Sequence, residues 1–179
     1  MLNLEKCCLV IVDVQSKLAQ LMYEKEALFK NIQIFLKAAK ILNIPILYCQ
    51  QCSDALGETI PQLTELLAGN DPINKASFSC CPCDEFNTKL KKLDKQQILL
   101  CGIETHVCIY QTALDLLSLD KEVNLIVDAV SSRTLQSKQI ATDKMKTASV
   151  IMSTVEMALF ELLKTAEHKN FKEIIKLVK

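Results

Sequence analysis

Five short apolar runs rich in β-branched residues, each bounded by turn signals, alternate with helical patterns along this chain, and that alternation limits its fold most. CCLVIVDV, residues 7–14, has the continuous apolar character of a strand buried on both faces. IPILYC (44–49), QILLCG (97–102), VNLIVDAV (123–130) and SVIMST (149–154) read the same way, and a short extended piece at 72–75 would add a minor sixth strand. Between them, NIQIFLKAAKIL (31–42) places Ile32, Phe35, Leu36 and Ala39 on one helical face. CDEFNTKLKKL, HVCIYQTALDLLSL, SKQIATDKMKTA and VEMALFELLKTA are helical as well, and a short helix is expected over 61–67. Strands joined through helices run parallel, because a parallel pair needs a long crossover connection. The predicted class is therefore α/β: a three-layer α/β/α sandwich with a central, mainly parallel sheet.

The chain has 179 residues, the size of one domain, here spanning 1–179, and half of them are hydrophobic. Its 21 Lys plus Arg balance 21 Asp plus Glu, so no net charge draws it to nucleic acid or an anionic membrane. No apolar stretch is long enough to span a bilayer, and Glu5 and Lys6 interrupt the first residues where a secretory leader would be apolar. Nine cysteines cannot all pair within one chain, and they lie inside apolar segments. A protein kept reduced in the cytoplasm is expected.

In parallel sheets, ligands bind beyond the carboxyl ends of the strands. Asp13, Gln50 to Cys52, Lys75, Gly102 to Cys108 and Asp128 to Arg133 occupy those ends. Cys108 stands early in the helix after a central strand, with Thr105 as the expected N-cap. A helix N-terminus favours thiolate over thiol and offers N–H groups to an oxyanion. Asp13 could accept the thiol proton, while Lys75 could hold both in charged forms. Against this, buried cysteine is commonly a small hydrophobe, a strand-end Asp a turn former and a loop Lys solvated.

LVIVDVQ, KASFS, CGIETHVCI and DAVSSR, in that order, resemble the isochorismatase-like cysteine hydrolase family. The chain most resembles its small single-domain branch, the isochorismatase domain-containing and YcaC-like proteins. The resemblance runs from Leu9 to about Leu177 and implies a six-stranded parallel sheet and a homo-oligomer. It places the family's catalytic Asp, Lys and Cys on Asp13, Lys75 and Cys108. It implies a cis peptide between Ile103 and Glu104, with the N–H groups of Glu104 and Cys108 as the oxyanion hole. The activity implied is hydrolysis of a C–N bond in a small-molecule substrate through a thioester, without a cofactor. Some relatives cleave the vinyl ether of isochorismate instead; members of that kind can lack the cysteine, so Cys108 favours C–N hydrolysis. The nicotinamidase branch binds a metal through histidines that this chain lacks after strand two, its only histidines being His106 and His168. Cys52 and Ser53 stand where an aromatic–proline pair is expected in the related branch.

Gln15, Gln51, Phe78 and His106 are candidates to line the substrate pocket. A rival reading rests on Cys49-x-x-Cys52 and Cys80-x-x-Cys83, which could hold zinc or form a redox pair. The 27 residues between the pairs exceed ordinary zinc-ribbon spacing. Arg133 is expected to pair with Asp128 or an acidic helix neighbour. The tail around Phe171, Ile174, Ile175 and Val178 is expected to dock as an amphipathic helix.

Overall fold

The computed structural model describes all residues 1–179. The strands are β1 (Cys7–Val12), β2 (Ile46–Gln51), β3 (Ile73–Lys75), β4 (Gln97–Ile103), β5 (Glu122–Ser131) and β6 (Ile151–Ser153). They form one six-stranded sheet in the order β3-β2-β1-β4-β5-β6, with every neighbouring pair parallel. All residues of β1 and β4 are buried, which is why both strands read as unbroken apolar runs.

The helices are α1 (Ser16–Gln20), α2 (Lys25–Ile41), α3 (Ser53–Leu56), α4 (Pro61–Thr64), α5 (Asp84–Leu93), α6 (Tyr110–Ser118), α7 (Leu135–Thr147), α8 (Val155–Leu163) and α9 (Phe171–Val178). A π turn, Thr105–Ile109, precedes α6. Right-handed crossovers put α2 on one face of the sheet, where it packs with α8 and α9, and α6 and α7 together on the other. The tail docks as expected: Ile174 is buried, and Phe171 meets Phe160 edge to face at 6.4 Å.

Several boundaries differ from the sequence reading. Helix α2 begins at Lys25, one and a half turns earlier, because Leu28 and Phe29 continue the buried stripe. Strand β2 starts at Ile46, after Pro45, and runs on through Gln51, since β3 pairs with its polar end. Helix α4 stops at Thr64 rather than 67, although Leu67 remains buried. The helix expected from His106 is split, its first turn being the wider π form.

Two features position the site. Strand order reverses between β1 and β4, so the chain leaves these two strands in opposite directions and opens a crevice beyond their carboxyl ends. In β4, Gly102 has φ +119°, and a Cβ there would lie 2.1 Å from the Val12 carbonyl oxygen. Only glycine lets β4 approach β1 so closely, which brings the turn after β4 beside Asp13.

Candidate active site

Asp13 follows β1 in a left-handed conformation, φ 55°, which aspartate tolerates better than most residues. Its N–H donates to the Cys49 carbonyl, and its own carbonyl accepts from Gln15 N–H at 2.8 Å. The side chain is 1% exposed. Lys75, the last residue of β3, reaches across β2 and places Nζ 2.7 Å from Asp13 Oδ2. Nζ also donates to Gln51 Oε1 and to the carbonyls of Ser77 and Phe78, so the buried ammonium is fully engaged. Asp13 Oδ1 is buried and has no hydrogen-bond partner. The Cys108 thiol lies beside this carboxylate.

Burial raises the Asp13 carboxyl above its ordinary range, against the opposing attraction of Lys75. For Lys75, burial alone would depress the ammonium, but Asp13, Cys80 and Cys108 outweigh it and hold the group protonated. Cys108, 7% exposed, departs from expectation. Its thiol pKa is raised well above the ordinary value, by burial first and then by the neighbouring Asp13, with Lys75 only partly offsetting. The resting group is therefore a thiol beside a carboxylate, not a preformed thiolate. The π turn also lacks the expected N-cap: Thr105 Oγ1 is buried without a partner, and Glu104 occupies the cap position without a side-chain bond.

The Ile103–Glu104 peptide bond is cis. The Glu104 carbonyl accepts from the N–H groups of Val107 and Ile109, while its own N–H meets no acceptor in the chain. That N–H and Cys108 belong to one turn, at the carboxyl end of β4. The four pocket candidates separate. Gln15 Nε2 donates to the carbonyls of Gln51 and Gly57, and its Oε1 accepts from Gln51 N–H at 2.7 Å. Gln51 donates to the Ala76 carbonyl and accepts from Lys75. The Gln15 amide thus ties the end of β2 to the residue after β1, and the Gln51 amide ties the Lys75 loop to β2. The Phe78 ring is 54% exposed, and only its carbonyl touches the charged group. His106 Nδ1 lies 2.9 Å from Ser132 Oγ.

Arg133 pairs with neither Asp128 nor a helix residue: its Nε lies 3.0 Å from Glu104 Oε1. Asp128 instead accepts from the Val155 N–H at the start of α8. The C-x-x-C pairs meet through one member each and do not gather three ligands for a metal ion. Cys52 bonds to the Lys75 carbonyl and Cys83 to the Asn74 carbonyl, while Cys49 contacts Cys80 inside the core. All nine cysteines are free thiols. Sequence reasoning missed that Gln51 holds Lys75 and that Arg133 grips Glu104. Polar residues at strand ends were the only signal for either.

The fold is a parallel three-layer α/β sandwich with a thiol, a carboxyl and an ammonium group gathered where the strand order reverses. The Isochorismatase domain model matches residues 7–157. Isochorismatase domain-containing protein 2 of Danio rerio is 37% identical over 171 residues, 95% of this chain and 85% of that protein. A solved structure described as MAR1 ribonuclease from Caenorhabditis elegans superposes with TM-score 0.94 at 34% identity, covering 99% of this chain and 91% of that one. The YcaC product of Escherichia coli, described as an octameric hydrolase of unknown specificity, shares the fold with TM-score 0.89 at 19% identity, covering 98% and 94%. The chain belongs to the isochorismatase family of hydrolases.

Proposed function

We propose that this protein is a cysteine hydrolase acting on a small-molecule amide or related C–N bond. The observation that carries the reading is the buried Lys75–Asp13 pair at 2.7 Å, with the Cys108 thiol beside the carboxylate. Asp13 takes the Cys108 proton as sulfur attacks the carbonyl carbon. The oxyanion rests on the N–H groups of Glu104 and Cys108. When the intermediate collapses, the C–N bond breaks and Asp13 returns the proton to the leaving amine, which leaves a thioester. Asp13 then deprotonates a water, hydroxide adds to the thioester carbonyl, the C–S bond breaks, and sulfur regains its proton from Asp13. Lys75 keeps Asp13 ionised at the start of each half-reaction.

The thiol that starts as S–H fits this cycle, because proton transfer and attack are coupled rather than sequential. No cofactor enters it. The octameric Escherichia coli neighbour favours a homo-oligomer for this chain. No helix is long and apolar enough to cross a membrane, and the unpaired thiols fit a reducing cytoplasm. Ammonia release from a panel of small primary amides tests the reading. Cys108→Ala should cost about a thousandfold or more in turnover. Full ammonia release without Cys108 would overturn the thioester route; vinyl-ether hydrolysis, in which Asp13 matters and the thiol does not, would instead show as isochorismate cleavage retained in Cys108→Ala and lost in Asp13→Asn.

A further inference from the structure

The DAVSSR segment supplies no group to the reaction just described, yet it contacts the reactive turn at successive points. Strand β5 loses register with β4 after Leu100 and regains it at Gly102↔Val130 and Ile103↔Ser131. That second pairing carries Ser132 and Arg133 past the cis peptide. Arg133 Nε then meets Glu104 Oε1 at 3.0 Å, and Ser132 Oγ meets His106 Nδ1 at 2.9 Å. The segment is anchored from behind: Tyr23 N–H donates to the Ser132 carbonyl at 2.8 Å, and Ser131 Oγ donates to the Tyr23 carbonyl at 2.6 Å. The Glu104 carboxylate is only 11% exposed and has Arg133 as its one ion partner, whereas Arg133 is 60% exposed. The geometry points to Arg133 as a positioning residue: through the Glu104 carboxylate it holds the Glu104 N–H where a tetrahedral oxyanion forms.

The physical reason lies in the turn itself. An oxyanion donor must remain unpaired at rest, so it cannot be fixed by its own hydrogen bond. The turn holds the Glu104 carbonyl and β4 holds Ile103, and the Glu104 side chain adds a further hold on the residue that carries the N–H. The pair is open to water on the Arg133 side only, so Arg133→Gln leaves a largely covered carboxylate without its cation, and thermal unfolding of the variant shows whether the fold is kept while the geometry changes.

The inference rests on the proposed thiol chemistry, and the experiment separates the two. Acetaldehyde adds reversibly to a cysteine: sulfur bonds to the carbonyl carbon, the C=O π pair moves to oxygen, and the thiol proton passes through Asp13 to that oxygen. The N–H donors stabilise the adduct by bonding its oxygen, whereas alkylation by iodoacetamide, a displacement at carbon, gains nothing from them. Protection of Cys108 from iodoacetamide by acetaldehyde, followed by peptide mass spectrometry, therefore reads the donors. Arg133→Gln should weaken protection at least about fivefold, below the full cost of losing a donor, with alkylation in the absence of acetaldehyde changed less than about twofold. Arg133→Lys should recover most of the protection. Unchanged protection in Arg133→Gln, or an equal fall in both readouts, overturns the positioning role. A wild type that acetaldehyde does not protect overturns the thiol mechanism and this inference with it.

Discussion

The two sides of the crevice are built in opposite ways. On the β1–β3 side every donor on the cation is spent: Lys75 Nζ has a carboxylate, an amide oxygen and two carbonyls, and Gln15 and Gln51 bond to each other and to the chain. On the β4–β5 side polar groups stand open: Thr105 Oγ1 has no partner and the Glu104 N–H has no acceptor. Between them, Asp13 joins both patterns, with one oxygen bound to Lys75 and the other free. Fixed charge in a buried site must be fully solvated by the protein, or it neutralises. A group that will receive substrate must be left unsatisfied, so its position has to come from neighbours, here the packed sheet and the end of β5.

Removing the cation should break this contrast most severely. Lys75→Met leaves Asp13 buried without its partner, and a loss of roughly 3–5 kcal/mol is expected in denaturant unfolding. The sign with pH follows from the carboxyl, already raised by burial and raised further without Lys75. The folded state then holds a proton that the unfolded chain releases more readily. Stability is fully present below the ordinary carboxylate pKa and is lost as pH rises through the raised folded value. The deficit relative to wild type should therefore be larger at about pH 8 than at about pH 5. A pH-independent deficit would mean that packing, not charge, is what Lys75 supplies.

Gln51→Leu sharpens the same side. It deletes the oxygen that accepts from Lys75 and the amide that holds the Ala76 carbonyl. A loss of about 2 kcal/mol is expected, the cost of a hydrogen bond to a charged group with a buried carbonyl left bare. A neutral change in melting temperature would show that water replaces the amide.

Asp13→Asn crosses between the sides. The carboxylate raises the Cys108 thiol and Lys75 lowers it, so the substitution removes the first influence and frees the second. Iodoacetamide should label Cys108 about tenfold faster near neutral pH, the effect of a pKa fall of one unit, even as turnover is lost. Slower labelling would mean that Asp13 already draws the proton away at rest. Lys75 keeps three neutral acceptors in this variant, so the fold should survive.

Thr105→Val should have the smallest effect. The hydroxyl is buried and bonded to nothing, so an isosteric methyl costs no hydrogen bond and should change stability by less than about 0.5 kcal/mol. A penalty above about 2 kcal/mol would reveal a partner and remove the asymmetry.

Much of this was legible in the chain. Buried strands announce themselves by unbroken apolar runs, and Asp13 and Lys75 at strand ends and Cys108 in the turn after β4 were selected as candidates by position before any contact was known. The short β3 and the docked tail were read correctly because Ile73 and the Ile174 stripe carry ordinary periodicity. The Cys108 ionisation was not legible. A helix N-terminus predicts a lowered thiol, but the turn is π-helical, the sulfur is buried and the nearest charge is negative. Likewise, Gln15 and Gln51 looked like pocket residues because polar side chains at strand ends are the usual ligand contacts, whereas here the Gln15 amide bonds the Gln51 backbone and the Gln51 amide bonds Lys75 and the Ala76 carbonyl.

The sequence by itself determined the layers and the parallel sheet and singled out Asp13, Lys75 and Cys108 as candidates, because hydrophobic periodicity and strand-end position are local and repeat along the chain. Only the tertiary structure decided which polar groups are satisfied and which are left open. That depends on partners far apart in sequence: Lys75 on Asp13, Arg133 on Glu104, Tyr23 on Ser132. Hydrogen bonds and ion pairs act over a few ångströms in space, and no local pattern records which distant residue arrives there.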